Sequence, residues 1–123
     1  MSVQRQHRIL VVDDDPQVLT LFAQILTEGG YAVTATNQSS EVAQVLRDQF
    51  VDLLILDLDM PRPDGFEVLR SLRARRSTLR ILIVSGYLQG SLLEASELLG
   101  ATASLSKADA PRMLLETVNG ILR

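Results

Sequence analysis

Three short apolar runs, Ile9–Val12, Leu53–Leu56 and Ile81–Val84, constrain the fold of this chain most strongly. Uninterrupted apolar runs of about four residues, bordered by polar residues, are typical of strands buried on both faces, as in a parallel sheet. Two weaker candidates, Tyr31–Thr36 and Thr102–Ser106, contain hydroxyl or small residues. Strands of that kind are expected at the edges of a sheet, where one side is less buried.

Segments with a helical spacing of apolar residues follow these runs. The first ends at Gly29-Gly30, a helix-stop signal, and Asp15 directly before Pro16 is its expected N-cap. The second follows Ser39-Ser40, and either serine is a candidate cap.

The third and fourth helical segments both begin with the spacing of a capping box. Asp64 and Glu67 form this pattern in the third segment. Ser91 and Glu94 form it in the fourth, which is expected to end at Gly100.

The last helical segment has Asp109 as its expected cap and Pro111 in its first turn, where the missing N–H costs nothing.

Strand and helix thus alternate five times, without a long linker, an internal repeat or a low-complexity segment. Strict alternation predicts one α/β domain in which helices cover both faces of a five-stranded parallel sheet. We interpret residues 1–7 as a polar tail and residues 8–123 as the domain.

The composition narrows the function classes. The chain has 123 residues, no cysteine and a formal net charge of −3, so it offers no thiolate metal site and is not expected to bind nucleic acid. No apolar run approaches the roughly 18 residues of a membrane span, and the polar N-terminus does not resemble a signal peptide. A cytoplasmic location is therefore expected. The arginine-rich stretch from Arg70 to Arg80 is interpreted as the solvated face and exit of a helix.

Chemically active residues follow the expected strands at the point where each one ends. They are Asp13, Asp14 and Asp15 after the first, Asp57 after the third, Ser85 after the fourth and Lys107 after the fifth. Right-handed crossovers bring the carboxyl ends of parallel strands to one edge of the sheet, where such folds place their sites. Helix capping accounts for Asp15 and leaves the other carboxylates unexplained.

A cluster of carboxylates needs a compensating cation, because two unit charges about 4 Å apart repel by about 4 kcal/mol at an effective dielectric constant near 20. Oxygen ligands without histidine or cysteine favour a hard ion, above all Mg²⁺, which readily shares its shell with a phosphoryl oxygen. A carboxylate beside that ion is a plausible nucleophile towards phosphorus, and a lysine and a hydroxyl group can stabilise the phosphoryl oxygens. The pattern therefore indicates phosphoryl transfer.

At these positions the chain resembles the CheY-like receiver family of two-component signalling, over Arg8 to Arg123. Residues 57–65, with Met60-Pro61 and Asp64-Gly65 in register, resemble the phosphoacceptor loop of that family. Residues 9–14, Ser85-Gly86 and Lys107 resemble its other motifs. The resemblance implies a doubly wound, flavodoxin-like (βα)5 fold with strand order 2-1-3-4-5.

The resemblance also implies a role for each site residue. Asp57 accepts the phosphoryl group, and Ser85 and Lys107 contact it. Mg²⁺ is bound by Asp14, Asp57 and the backbone carbonyl of Asp59, whereas Asp13 acts through bound water. Phosphorylation then shifts the population of two states and changes a protein-binding surface near the fourth and fifth predicted helices.

The expected function is thus a signalling switch, not a classical enzyme, although it assists its own phosphorylation and slow dephosphorylation. The implied partners are a histidine kinase or phosphotransfer protein and an unidentified downstream protein, with neither nucleic acid nor a membrane involved. The chain is expected to be a monomer or a weak homodimer, without an output domain.

Two positions depart from the family pattern. Ser104 stands where a Tyr or Phe usually precedes the lysine by three residues, and Ala108 stands where proline usually follows it. Tyr87 is a candidate substitute for the missing aromatic ring. These differences leave open a second interpretation, a receiver-like interaction module that does not depend on phosphorylation.

A phosphatase of the haloacid-dehalogenase type is a third interpretation, because its nucleophile motif is also Asp-x-Asp, as in Asp57-Leu58-Asp59. That class, however, places the motif on its first strand and needs a cap domain. Repeated turnover of a phosphatase substrate would favour it, whereas one phosphate held per chain would favour a receiver.

Overall fold

The protein forms a five-stranded, fully parallel sheet with the strand order β2-β1-β3-β4-β5, as the resemblance implied. A computed structural model describes residues 5–61, 63–75, 78–86, 97 and 99–123. The strands are β1 (Arg8–Val12), β2 (Ala32–Thr36), β3 (Leu53–Asp57), β4 (Arg80–Ser85) and β5 (Ala103–Ser106). Each of them coincides within two residues with a strand expected from the sequence.

Helices follow most of the strands. Among the described residues they are α1 (Pro16–Glu28), α2 (Val42–Asp48), α3 (Gly65–Arg75) and α4 (Ala110–Leu122), and a single 3₁₀ turn (Ser39–Glu41) precedes α2. The predicted helix that begins at Ser91 lies outside the described residues, apart from its end near Gly100. No helix in the described part of the chain is both long enough and apolar enough to cross a membrane.

Two separate hydrophobic clusters explain why the central strands are apolar without alternation. In β1, for example, Leu10 and Val12 pack into the cluster with α2 and α3, whereas Ile9 and Val11 pack into the cluster with α1 and α4. All four side chains are at most 1% exposed. Because successive side chains point to opposite faces and both faces are covered, every position in such a strand must be apolar.

The weaker strands lie at the edges of the sheet, as expected. In β2 only Thr36 is buried, and in β5 only Leu105 and Ser106 are buried. The partial burial of these strands matches their mixture of small and hydroxyl residues.

Two of the expected helix caps are confirmed. The Asp15 carboxylate accepts a hydrogen bond of 2.9 Å from the Gln17 backbone N–H at the start of α1. At the start of α3 the capping box is complete, since Glu67 N–H donates to the Asp64 carboxylate at 2.9 Å and Asp64 N–H donates to the Glu67 carboxylate at 3.4 Å. Both caps position the loops that carry the site residues.

Two further expected caps, among the described residues, were wrong in their side-chain contacts, and the expected capping box at Ser91 and Glu94 lies outside the described residues. Neither Ser39 nor Ser40 caps a helix, because both lie inside the 3₁₀ turn, where Ser39 Oγ instead donates to the Pro63 carbonyl at 2.7 Å. Asp109 is the N-cap residue of α4, but its carboxylate accepts from Ser106 Oγ and from the Arg112 guanidinium instead of a helix N–H.

Among the described arginines of the arginine-rich stretch, all but Arg73 are exposed, and Arg76 lies outside the described residues. Arg70, Arg75 and Arg80 are exposed. Arg73 is partly buried, and its Nε donates to the Gly100 carbonyl at 2.8 Å, which joins the end of α3 to the turn before β5. The interpretation as a solvated face was therefore wrong for Arg73.

Candidate functional site

Three carboxylates meet where the strand order reverses, between β1 and β3. One carboxylate oxygen from each of Asp13, Asp14 and Asp57 lies within 4.8 Å of the others. Asp13 and Asp57 are only 2% and 1% exposed, whereas Asp14 faces solvent. The site therefore contains two buried carboxylates and a third, that of Asp14, which is open to solvent.

Lys107 bridges the two buried carboxylates from the end of β5. Its Nζ lies 3.0 Å from Asp13 Oδ2 and 3.1 Å from Asp57 Oδ2. The backbone N–H of Lys107 donates to the Ser85 carbonyl at 2.7 Å, which places the lysine directly beside the end of β4. The ammonium group thus offsets part of the negative charge of the cluster.

The loops after β1 and β3 orient their carboxylates in the same way. Asp15 N–H donates to Asp13 Oδ1 at 2.9 Å, and Asp59 N–H donates to Asp57 Oδ1 at 2.9 Å. In each carboxylate the Oδ1 atom is therefore held by the following turn, while Oδ2 is directed towards Lys107. Such local hydrogen bonds from the backbone fix the side-chain orientation at a strand end.

Burial raises the pKa of Asp57 to about 6, and the nearby charge of Asp13 adds to this effect. The Asp59 N–H and the Lys107 ammonium oppose the shift without cancelling it. The pKa of Lys107 is itself raised, although burial lowers it, because the hydrogen bond with Asp13 and the charges of Asp57 and Asp13 outweigh the burial. The lysine therefore remains a cation, whereas its surroundings disfavour the charged form of Asp57.

Ser85 and Asp59 form a second part of the site. Ser85 is fully buried at the end of β4, and its Oγ donates to Asp59 Oδ2 at 3.0 Å. The next N–H, that of Gly86, donates to the same oxygen at 2.9 Å. From the sequence we assigned a role only to the backbone carbonyl of Asp59, so the contacts of its carboxylate were missed. The only signal was an acidic residue two positions after a strand end.

Gly65 allows the loop after β3 to pack closely against the helix that follows it. A Cβ atom at Gly65 would lie 2.6 Å from Leu58 Cα and even closer to the Asp57 carbonyl oxygen. Only glycine fits this approach. The Asp64-Gly65 pair thus determines how near α3 lies to the backbone of Asp57.

The two departures from the family pattern also have structural consequences. Ser104 donates a hydrogen bond of 2.6 Å to the Glu97 carboxylate, and Ala108 is exposed directly after Lys107. Tyr87, the candidate substitute for the missing ring, lies outside the described residues. At position 104 a small polar contact therefore replaces an aromatic side chain.

The fold and the site define an α/β domain of the doubly wound, flavodoxin-like class with an acidic pocket at the point where the strand order reverses. A model of the response regulator receiver domain matches residues 9–119. The chain belongs to this family, and its general function is that of a receiver domain in two-component signalling, where phosphorylation acts as the switch.

Known proteins with similar sequences and structures agree with this assignment. Transcriptional activator protein ExaE of Pseudomonas putida is 36% identical over 116 residues, which cover 93% of this chain and 54% of ExaE. A CheY-like receiver domain protein from Methanospirillum hungatei JF-1 is 31% identical, with a TM-score of 0.85 and coverage of 94% of this chain and 93% of that one. The chemotaxis response regulator CheY4 of Vibrio cholerae is 25% identical, with a TM-score of 0.87 and coverage of 96% and 100%.

The match to longer relatives is partial. This chain spans about half the length of the curated relatives it matches, for example 54% of ExaE. The similarity therefore concerns their receiver part. Receiver domains are signalling domains that contact kinases and downstream effectors, and they bind Mg²⁺ in an acidic pocket.

Proposed function

We propose that this chain is a phosphorylation-dependent signalling switch whose phosphoacceptor is Asp57. The observation that carries the proposal is the arrangement around this carboxylate. It is buried, it lies within 4.8 Å of two further carboxylates, and Lys107 Nζ contacts its Oδ2 at 3.1 Å. A carboxylate in such a setting can attack phosphorus, and the charge that develops is then met by groups already in place.

The group transfer is a displacement at phosphorus. An Asp57 oxygen forms a new O–P bond while the bond from phosphorus to the donor breaks, so that the donor nitrogen of a phosphohistidine leaves with the electron pair. The product is an acyl phosphate on Asp57. The phosphoryl group carries close to two negative charges, whereas the Asp57 carboxylate loses its own charge, so the pocket gains about one negative charge.

The donor set fits a magnesium ion. Asp14, Asp57 and the Asp59 backbone carbonyl are the proposed direct ligands, and Asp13 is proposed to act through water. All of these are hard oxygen donors, and Asp14 is exposed to the solvent from which hydrated Mg²⁺ arrives. When bound, the ion offsets carboxylate charge and polarises a phosphoryl oxygen.

Lys107 and Ser85 are proposed to stabilise the phosphoryl oxygens. Lys107 already contacts Asp57 and is held by its backbone bond to Ser85, so it requires little reorganisation. Ser85 lies at the end of the neighbouring strand β4, and its hydroxyl donates to Asp59. The hydroxyl must therefore leave Asp59 before it can donate to a phosphoryl oxygen on Asp57. We infer that this exchange links phosphorylation to the loop that follows β4.

The proposed partners are a histidine kinase or phosphotransfer protein as donor and a downstream protein as target. This chain is 34% identical over 84 residues to the CAI-1 autoinducer sensor kinase/phosphatase CqsS of Vibrio cholerae, with 68% of this chain and 12% of CqsS covered, which supports a place in phosphotransfer. We further propose a cytoplasmic location, and a domain that comprises residues 8–123 and acts as a monomer or weak homodimer.

Beryllofluoride, which forms an adduct with phosphorylatable carboxylates, tests the proposal. Amide spectra of the ¹⁵N-labelled chain should change around Ser85, Gly86 and Lys107 when beryllofluoride and Mg²⁺ are present together. They should not change in Asp57→Asn or without Mg²⁺. If the amide spectra of the wild-type chain do not change, or if those of Asp57→Asn change in the same way, the result would instead support the phosphorylation-independent module that Ser104 and Ala108 leave open.

The number of phosphoryl groups held by each chain, and the amount of phosphate released, distinguish a switch from a phosphatase. Incubation with acetyl phosphate and Mg²⁺ should add one phosphoryl group per chain, measured by intact mass, and none in Asp57→Asn. Continued release of phosphate far beyond one equivalent from a generic phosphatase substrate would argue against the switch.

A further inference from the structure

The Asp59 carboxylate holds the end of β4 through two hydrogen bonds to a single oxygen. Ser85 Oγ donates to Asp59 Oδ2 at 3.0 Å, and Gly86 N–H donates to it at 2.9 Å. Both donors lie at the strand end from which the proposed phosphoryl contact must come. The contact therefore joins the loop after β3 to the start of the loop after β4.

These bonds are stronger than ordinary hydrogen bonds between neutral groups. Their acceptor is a carboxylate, and charge-assisted bonds are roughly twice as strong. Ser85 is fully buried and Asp59 is only partly exposed, so water competes weakly for the bond between them, whereas Gly86 is exposed. The Ser85 hydroxyl is thus held firmly in the state without phosphate.

The same hydroxyl has only one hydrogen to donate. It cannot donate to Asp59 and to a phosphoryl oxygen on Asp57 at the same time. The Asp59 backbone N–H is bonded to Asp57 Oδ1 at 2.9 Å, so the latching carboxylate and the phosphoacceptor belong to one short turn. Any movement of Ser85 towards Asp57 must break the bond to Asp59.

We propose that Asp59 is a built-in latch that stabilises the inactive state of this chain by holding the Ser85 hydroxyl, while the Gly86 N–H fixes the position of the Asp59 carboxylate. The latch deepens the proposed function and rests on it, since it matters only if Ser85 moves towards a phosphoryl group. Asp59 acts here as a positioning residue through its side chain, independently of the proposed use of its backbone carbonyl. Replacing the carboxylate by a carboxamide weakens the latch and favours the active state.

The Asp59→Asn variant tests the latch in the ¹⁵N-labelled full chain at saturating Mg²⁺. The carboxamide keeps the size of the side chain but removes its charge, so the midpoint of the beryllofluoride titration should fall about fivefold. In the metal-free protein the Gly86 amide resonance should also move, because its acceptor is no longer charged. Asp48→Asn is the matched control, since Asp48 is an exposed aspartate on α2, and it should change neither measurement.

A double-mutant cycle with Ser85→Ala separates the latch from simple charge repulsion between Asp59 and the adduct. The latch acts through the Ser85 hydroxyl, so Asp59→Asn should shift the midpoint by less than about twofold when Ser85 is already alanine. If Asp59→Asn shifts the beryllofluoride midpoint as much in the Ser85→Ala chain as in the wild-type chain, the latch is overturned. Charge repulsion between Asp59 and the adduct would then be the cause of the shift. Asp59→Ser provides the same comparison if Asp59→Asn does not fold.

The two proposals fail in different ways. If the wild-type chain does not respond to beryllofluoride and Mg²⁺ at all, the proposed function is overturned and the latch with it. If the wild-type chain responds but Asp59→Asn has an unchanged midpoint, only the latch is overturned.

Discussion

The Nζ atom of Lys107 lies 3.1 Å from Oδ2 of Asp57, a residue 50 positions earlier in the chain. The same ammonium contacts Asp13 at 3.0 Å, so one cation serves two buried carboxylates. Removing one partner of a buried ion pair costs more than the pair contributes, because an uncompensated charge stays behind. The stability of the metal-free protein should therefore depend on this lysine.

Lys107→Met should lower the free energy of unfolding by about 2 kcal/mol at pH 8, in EDTA, as measured by urea denaturation. The loss should shrink at pH 5, because Asp57 then takes up a proton and the remaining repulsion falls. Lys107→Arg keeps the charge and should cost less. An equal loss at both pH values would contradict the charge argument.

Asp57→Asn should stabilise the metal-free chain at neutral and alkaline pH. Burial raises the pKa of Asp57 to about 6 in the folded chain, above its unfolded value near 3.9. The ionised carboxylate therefore destabilises the fold above pH 6. As the pH falls from about 6 to 4, the folded chain binds a proton before the unfolded chain does, and wild-type stability should rise relative to the variant.

The expected advantage of Asp57→Asn is about 3 kcal/mol at pH 8, and it should disappear towards pH 4. Urea denaturation of both chains across this pH range, in EDTA, measures the difference. Asp48→Asn removes the same charge from an exposed position and should show no such trend. A difference that is constant with pH would show that Asp57 is not the group responsible.

Magnesium should raise the melting temperature of the wild-type chain, because binding to the folded state alone stabilises it. Asp14→Asn should require at least about tenfold more Mg²⁺ for the same rise in melting temperature, because the charge of a proposed ligand is lost. Asp15→Asn is a neighbouring control, because asparagine caps a helix nearly as well as aspartate does. Differential scanning fluorimetry with a Mg²⁺ titration distinguishes the two variants, and equal weakening in both would argue against a specific ligand role.

Gly65→Ala should destabilise the fold by about 2 kcal/mol and disturb the loop after Asp57, because the added Cβ would lie 2.6 Å from Leu58 Cα. Gly120→Ala is the matched control in α4, where an added Cβ meets nothing within 4 Å. It should instead stabilise the chain by about 0.5–1 kcal/mol through helix propensity. Thermal unfolding of both variants gives the comparison, and similar effects of the two substitutions would contradict the close approach at Gly65.

The predictions that the structure confirmed depend on interactions within a single strand or a single turn. Ile9–Val12 could be recognised as a doubly buried strand because both of its faces contact helices, and the capping box at Asp64 and Glu67 is a local hydrogen-bond pattern. The expected cap at Ser39 or Ser40 failed for a non-local reason. Ser39 donates to the carbonyl of Pro63, a residue 24 positions away.

The sequence by itself determined the parallel α/β architecture and the set of polar residues at the carboxyl edge of the sheet, because strand burial and connection length are encoded in short stretches of chain. Only the tertiary structure decided how those residues contact each other. It paired Lys107 with both Asp13 and Asp57, and it turned the Asp59 carboxylate towards Ser85. Such contacts depend on the register between strands and on side-chain directions, which no single segment specifies.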